Sequence, residues 1–126
     1  MNFSIFTLFP EMFPGYLGYS LAGDALKTNK WSYSTINLRE FGLGKHRQVD
    51  DAPYGGGAGL VMRPDVLGAA IESQKTAIKE QKLIYLSPRG TPLTQKKVQH
   101  LSQQPHLGLL CGRFEGVDQR IIEHYA

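Results

Sequence analysis

Two short apolar runs, each ended by a glycine-containing loop, constrain the fold of this chain more than any other feature. The first is KLIYL at residues 82–86, followed by SPRGTP, and the second is HLGLLC at residues 106–111, followed by GRFEG. Such runs are typical of buried strands in parallel sheets. If they are neighbouring parallel strands, their loops leave the sheet at one edge and can share a ligand.

The two loops are not of the common nucleotide-binding kinds. Neither fits the glycine-rich dinucleotide motif or the P-loop, so these classes of site lose their usual support. Backbone amides and carbonyls at strand ends can instead recognise an adenine or a methionyl group. The alternative is that Pro88 and Gly90 only form a turn and that Gly112 only lets a helix pack against a strand. The similar layout of both segments favours a shared pocket.

The first third of the chain predicts two strands and a helix between them. Aromatic and branched residues indicate a strand near residues 3–8, and partial alternation indicates another over residues 31–38. Ser20 is the expected N-cap of a helix over residues 21–27, with Leu21 and Ala25 facing the core and Leu26 as a further candidate.

The later segments predict three more helices. Pro64 can start a helix whose apolar stripe runs to Ile78, Thr94 can cap a second, and a third begins at Val117. Strands and helices alternate along the 126 residues, with no repeat and no domain boundary. We therefore expect one α/β domain with a mostly parallel sheet flanked by helices.

Composition and charge limit the function without deciding it. Fourteen lysines and arginines against eleven acidic residues give a net charge of +3, which permits a nucleic-acid partner but does not require one. Cys111 is the only cysteine and ends an apolar run, so we expect a buried thiol, no disulfide and a reducing cytoplasm. The four histidines lack metal-ligand spacing, so no bound metal is predicted. No signal peptide or membrane segment is recognised, which favours a soluble protein.

Residues 39–59 form a connection that is too long and polar for a simple loop. Within it, the segment KHRQVDDAPYGGGAG at residues 45–59 has four glycines in its last five positions. Glycines leave backbone amides open to a planar base or an anion, Arg47 can contact phosphate, and Asp50 or Asp51 can accept hydrogen bonds from a base edge. A flexible surface linker is the alternative.

Four motifs in order resemble one family, the bacterial tRNA (guanine-N1)-methyltransferases (TrmD). They are SIFTLFPEMF at residues 4–13, HRQVDD with PYGGG at 46–57, YLSPRG at 85–90 and CGRFEGVD at 111–118. The resemblance implies a trefoil-knotted α/β fold of the SPOUT class, a homodimer, and S-adenosylmethionine as methyl donor. It further implies methyl transfer to N1 of guanine 37, beside the tRNA anticodon.

The resemblance also assigns residues to the site. Those expected to line the S-adenosylmethionine pocket are Tyr85, Leu86, Ser87, Pro88, Gly112, Phe114 and Glu115. Those expected on the tRNA side are Arg47, Asp50, Tyr54, Gly55, Gly56, Gly57 and Gly59. Three positions depart from the common family pattern, namely Phe114, Ala58 and Leu60, and all three substitutions are tolerable.

The family's general base is an aspartate that is expected beyond Ala126, so no catalytic residue is expected within this chain. We therefore expect an N-terminal methyltransferase domain over residues 1–126, truncated and inactive by itself, without the C-terminal tRNA-binding domain and with an incomplete knot. The alternative is a non-catalytic module for RNA binding or dimerisation.

Overall fold

A parallel sheet forms the centre of the fold in a computed structural model that describes residues 1–51, 61–74, 82–112, 116–117 and 119–125. The strands of the described residues are β1 (Asn2–Thr7), β2 (Ser32–Asn37), β3 (Asp50–Asp51), β4 (Val61–Met62), β5 (Lys82–Tyr85) and β6 (His106–Leu110). Four of them pair in parallel in the order β2-β1-β6-β5, and β3 pairs with β4 in antiparallel fashion. The mostly parallel α/β sheet predicted from the sequence is confirmed.

The helices are α1 (Ser20–Lys27), α2 (Pro64–Ser73), α3 (Gln95–Ser102) and α4 (Gln119–Tyr125), with short 3-10 turns at Pro10–Met12, Gly15–Gly18 and Leu38–Phe41. Pro64 lies at the start of α2, as predicted, since its missing N–H is no loss in the first helical turn. The described part of α2 ends at Ser73, whereas the stripe was expected to reach Ile78, which lies outside the described residues.

The main core lies between the sheet and α2. Phe6 and Leu110 face each other in register on β1 and β6, and both are fully buried. On the helix side, α2 buries one stripe made of Val66, Leu67, Ala70 and Ile71. Because these side chains follow helical spacing, one face of α2 closes the core.

The prediction for α1 was wrong in its cap and in the burial of Leu21, whereas Ala25 and Leu26 are half-buried. Tyr19 takes the N-cap position, and Ser20 is the first residue of the helix, with a left-handed φ of 56°. The buried residue is Gly23, where an added Cβ would lie 2.3 Å from the backbone oxygen of Gly18. This close backbone approach fixes the inner face at Gly23, so Leu21, about 200° around the helix, is 84% exposed.

The last two helices agree better with the sequence, although α4 begins at Gln119 and not at Val117, which forms a β-bridge with Met62. Thr94 caps α3, its side chain accepting a hydrogen bond from the Lys97 amide at 3.2 Å. Helix α4 is joined to α2 by the Tyr125 hydroxyl, which donates to Glu72 at 2.7 Å. Burial, together with this hydrogen bond and the charge of Glu72, raises the pKa of Tyr125 to about 12. No helix among the described residues has the length and apolar character needed to cross a membrane.

Candidate cofactor and RNA site

The loops that follow β5 and β6 meet around Tyr85, the last residue of β5. Tyr85 pairs in register with Leu110, so the two strands end at the same edge of the sheet. A Cβ built on Gly112 would lie 3.1 Å from the Tyr85 Cε1 atom, and one on Gly116 would lie 3.3 Å from the Tyr85 hydroxyl. The predicted neighbourhood of the two loops is therefore present, and glycine is what lets both backbones approach the ring.

The loop after β5 is a turn fixed by Ser87. Its hydroxyl accepts a hydrogen bond from the Arg89 amide, and its carbonyl accepts one from the Gly90 amide, both at 3.1 Å. Next to this turn, Leu86 is 55% exposed and Pro88 is also exposed. Residues 87–90 therefore do form a turn, as the alternative interpretation of this loop expected. The turn leaves the apolar side chains of Leu86 and Pro88 exposed at the strand end, where a ligand can contact them.

An open cleft of about 440 Å³ lies on the other side of the β6 end, between β6 and β1. Its lining consists of Thr7, Leu8, Phe9, Met12, Phe13, Cys111 and Gly112. Sequence reasoning assigned no site role to the segment after β1, because the pairing of β1 with β6 joins positions about a hundred residues apart. The available signal was the SIFTLFPEMF motif itself, since it follows a strand directly.

Two polar groups lie in or beside this cleft. Arg39 lies near it, since its Nε donates to the Leu8 carbonyl at 3.4 Å and its guanidinium lies 5.5 Å from the centre of the Phe9 ring. Cys111 is half-buried, and burial raises the pKa of its thiol above the ordinary value. The thiol therefore stays protonated at neutral pH, in line with the non-catalytic thiol expected from the sequence.

The predicted RNA residue Arg47 lies in a tight turn after the Leu38–Phe41 helix. Leu43 and Gln48 exchange backbone hydrogen bonds of 2.9 and 2.8 Å across the turn. Arg47 itself has a φ of 52°, and a Cβ on Gly42 would lie 2.3 Å from the Arg47 carbonyl oxygen. The turn exposes Lys45, His46 and Arg47, a basic tip suited to phosphate.

Backbone pairing also holds the described part of this connection, residues 39–51, which the sequence did not predict. In β3, Asp50 pairs with Met62 and Asp51 with Val61. The Met62 amide also donates to the Gly116 carbonyl at 3.0 Å. This bond joins the strand pair that carries Asp50 to the loop after β6.

Arg63 completes this junction. Its guanidinium donates to both carboxylate oxygens of Asp65 at 3.0 Å and to Asp51 at 3.1 Å. Hydrogen bonding to Arg63 lowers the pKa of Asp65, and the same contact raises the pKa of Arg63. No cluster of three or more metal-binding side chains occurs in the described ranges.

A family model described as tRNA (Guanine-1)-methyltransferase TrmD matches residues 1–126. The chain belongs to this family. Among named TrmD relatives, the tRNA (guanine-N(1)-)-methyltransferase of Ruegeria pomeroyi is 58% identical over 96% of the chain and 50% of its own length. That of Wolbachia pipientis from Culex pipiens is 54% identical over 99% of the chain and 55% of its own length.

A solved TrmD structure has the same fold. The tRNA (m1G37) methyltransferase of Aquifex aeolicus matches with a TM-score of 0.86 and 34% identity, over 99% of this chain and 56% of that one. The expected SPOUT-class fold is confirmed by this match. The chain spans about half the length of these relatives.

Several residues predicted for the TrmD site lie outside the described residues. They are Phe114 and Glu115 of the cofactor set, and Tyr54, Gly55, Gly56, Gly57 and Gly59 of the tRNA set. The structure brings together Tyr85, Leu86 and Gly112 at one strand edge, and it links Asp50 to Gly116 through Met62. Their ligand contacts remain predictions.

The general base stays a prediction as well. It was expected beyond Ala126, and Ala126 itself lies outside the described residues, which end at Tyr125. The fold around α4 therefore does not test where that aspartate would stand. The matched relatives extend well past the span that this chain covers, since the chain accounts for 50% of the Ruegeria protein and 55% of the Wolbachia protein.

Proposed function

We propose that residues 1–126 form the S-adenosylmethionine-binding domain of a methyltransferase that modifies N1 of guanine 37 in tRNA. The observation that carries the proposal is the meeting of the β5 and β6 loops around Tyr85, next to the strand pair that holds Asp50. The relatives' names supply the base and the reaction, and the name of the Aquifex structure supplies position 37.

The residues present fit S-adenosylmethionine. When bound, it supplies an electrophilic methyl group. Tyr85 and Leu86 offer apolar surface, and Gly112 leaves uncovered backbone where any side chain would meet the Tyr85 ring. Ser87 and Pro88 continue this wall, and polar recognition comes from backbone groups at the strand ends.

The RNA would be held from the side of β3. Arg47 lies on the basic turn, where it can contact phosphate, while Asp50 can accept a hydrogen bond from a base edge. The target base must leave its stack to be reached, which the loops of the anticodon region allow. The proton on N1 needs an acceptor, and family resemblance assigns this role to an aspartate after Ala126. The relatives, about twice as long as the matched span, have room for it.

A homodimer is part of the proposal. Five large apolar side chains near the start of α1 are between 45 and 86% exposed, namely Met12, Tyr16, Leu17, Tyr19 and Leu21. Exposed apolar patches of this kind commonly mark protein interfaces, and symmetric dimers are the most frequent assemblies. Tyr16→Lys with Leu21→Lys should convert a dimer into a monomer in light scattering. A dimer that persists would place the interface elsewhere.

Methylation of defined tRNA transcripts tests the activity. We would assay the chain and a chimaera in which residues 1–126 are joined to the C-terminal half of the Ruegeria relative. The expected product is N1-methylguanosine at position 37, detected by mass spectrometry and absent when that guanine is replaced by adenosine. A folded chimaera that binds tRNA but transfers no methyl group would favour the alternative, a non-catalytic RNA-binding module. We place the activity in the cytoplasm, where bacterial tRNA is processed.

A further inference from the structure

Arg63 lies between the strand pair that carries Asp50 and the first turn of α2. It directly follows β4, and its side chain is only 23% exposed although it carries a full charge. One nitrogen binds Asp51 on β3, and two others bind Asp65 in the first turn of α2. Its own backbone amide donates to the Val49 carbonyl at 2.7 Å. A single residue thus ties β3 to α2 by side chain and backbone together.

The position of Asp50 depends on the same small assembly. Val49 before it and Met62 opposite it are buried, so the strand pair is anchored in the core. Met62 in turn donates to Gly116 of the loop after β6. The path from Asp50 to the proposed cofactor loop therefore passes through one residue. A two-residue strand pair has few ladder bonds, so side-chain contacts decide how firmly it is held.

We propose that Arg63 is a positioning residue of the RNA site. By binding Asp51 and Asp65 at once, it fixes β3 and sets the place of Asp50 relative to Gly116. This inference rests on the proposed function, because it assigns a task to Asp50 in binding RNA. Neither the sequence motifs nor the family resemblance gave Arg63 a role.

The choice of arginine matters for this task. A guanidinium is a planar fork with five donors, so it can bind two carboxylates in fixed directions. A lysine keeps the charge but is a flexible point charge without the fork. Arginine also balances Asp51 and Asp65, whose negative charges would otherwise repel phosphate close to the RNA site. Position and charge can be separated by comparing Arg63→Lys with Arg63→Gln.

Hydrogen exchange tests the positioning directly and needs no ligand. In Arg63→Lys and Arg63→Gln, the amides of residues 62 and 63 should exchange about three to ten times faster than in the unchanged chain. Lys97→Gln is the matched control, because it removes one cation from α3, where Lys97 bonds Thr91. Unchanged exchange at residues 62 and 63 in both Arg63 variants would overturn the inference.

RNA binding provides the second test. An anticodon stem-loop with guanine 37 should bind Arg63→Lys about three to ten times more weakly than it binds the unchanged chain, and Arg63→Gln more weakly still. Lys97→Gln should show only the small loss of affinity expected when one distant charge is removed. Full affinity in Arg63→Lys would reduce the role to charge and overturn positioning. An unchanged chain and chimaera that both fail to bind the stem-loop would refute the proposed function, whereas normal binding by all variants would refute only the role of Arg63.

Discussion

A side chain added at Gly112 should weaken S-adenosylmethionine binding while the chain still folds. The atoms that surround it are specific: an added Cβ lies 3.1 Å from Tyr85 Cε1, 3.3 Å from the Tyr85 hydroxyl and 3.4 Å from Val117. Alanine therefore presses on a ring that is half-buried at the end of β5, and valine adds two further carbons at the same place. The strain therefore falls on the contact between Gly112 and Tyr85, where we place the S-adenosylmethionine pocket.

The size of the effect follows from the cost of overpacking. Such insertions typically cost about 1–3 kcal/mol, which corresponds to roughly 5- to 150-fold weaker binding if the cost falls on the pocket. We expect Gly112→Ala near the lower limit and Gly112→Val at or beyond the upper one, where calorimetric titration would record no binding.

The matched control is Gly68→Ala on α2. There the nearest atom to an added Cβ is the Tyr125 hydroxyl at 3.7 Å, which is an ordinary contact. This variant should bind S-adenosylmethionine as the unchanged chain does, and thermal unfolding of each variant confirms that it is folded. A folded Gly112→Val protein with unchanged affinity would show that Gly112 is not part of the S-adenosylmethionine pocket.

Three further predictions concern packing and titration. Leu67→Ala empties a fully buried site on α2 and should lower the free energy of unfolding in urea by about 2–5 kcal/mol; a loss below about 1 kcal/mol would contradict the packing described. Because the pKa of Tyr125 is raised to about 12 from 10.0, the stability contributed by its neutral hydroxyl is present below pH 10 and is lost toward pH 12. The difference in unfolding free energy between the unchanged chain and Tyr125→Phe should therefore be constant between about pH 7 and pH 10 and shrink toward pH 12. A difference that does not change over this range would argue against the burial of Tyr125 and its hydrogen bond to Glu72. The Cys111 thiol, with its pKa raised by burial, should react slowly with iodoacetamide at about pH 7 and rapidly in urea; fast labelling of the folded chain would contradict its burial.

The sequence predicted the sheet and the shared loop edge because these depend on local signals. Short apolar runs that stop at glycine indicate strand ends, and β5 and β6 are consecutive parallel strands of one sheet. To predict the cleft beside Phe9, the order of the strands in the sheet must be known, and hydrophobic periodicity does not give that order. Its walls come from β1 and β6, at opposite ends of the chain.

Two other features depended on contacts that a pattern cannot show. Leu21 was expected to be buried, but the close approach of Gly23 to the Gly18 backbone places Gly23 on the inner face and leaves Leu21 exposed to solvent. The bridge from Arg63 to Asp51 and Asp65 also went unpredicted, because charged residues near a helix start are common and their pairing depends on β3 lying beside β4. Trefoil knotting stays a prediction of the family resemblance.

Whether the β5 and β6 loops bind the cofactor can be measured by an NMR titration of the ¹⁵N-labelled chain, and of the chimaera, with S-adenosylmethionine. We expect saturable shifts of the Leu86, Gly112 and Gly116 amides with one common affinity, and smaller shifts at Met62, which is bonded to Gly116. A folded chimaera that shows no saturable shifts, or shifts confined to other parts of the sheet, would contradict the assignment of the β5 and β6 loops as the cofactor pocket.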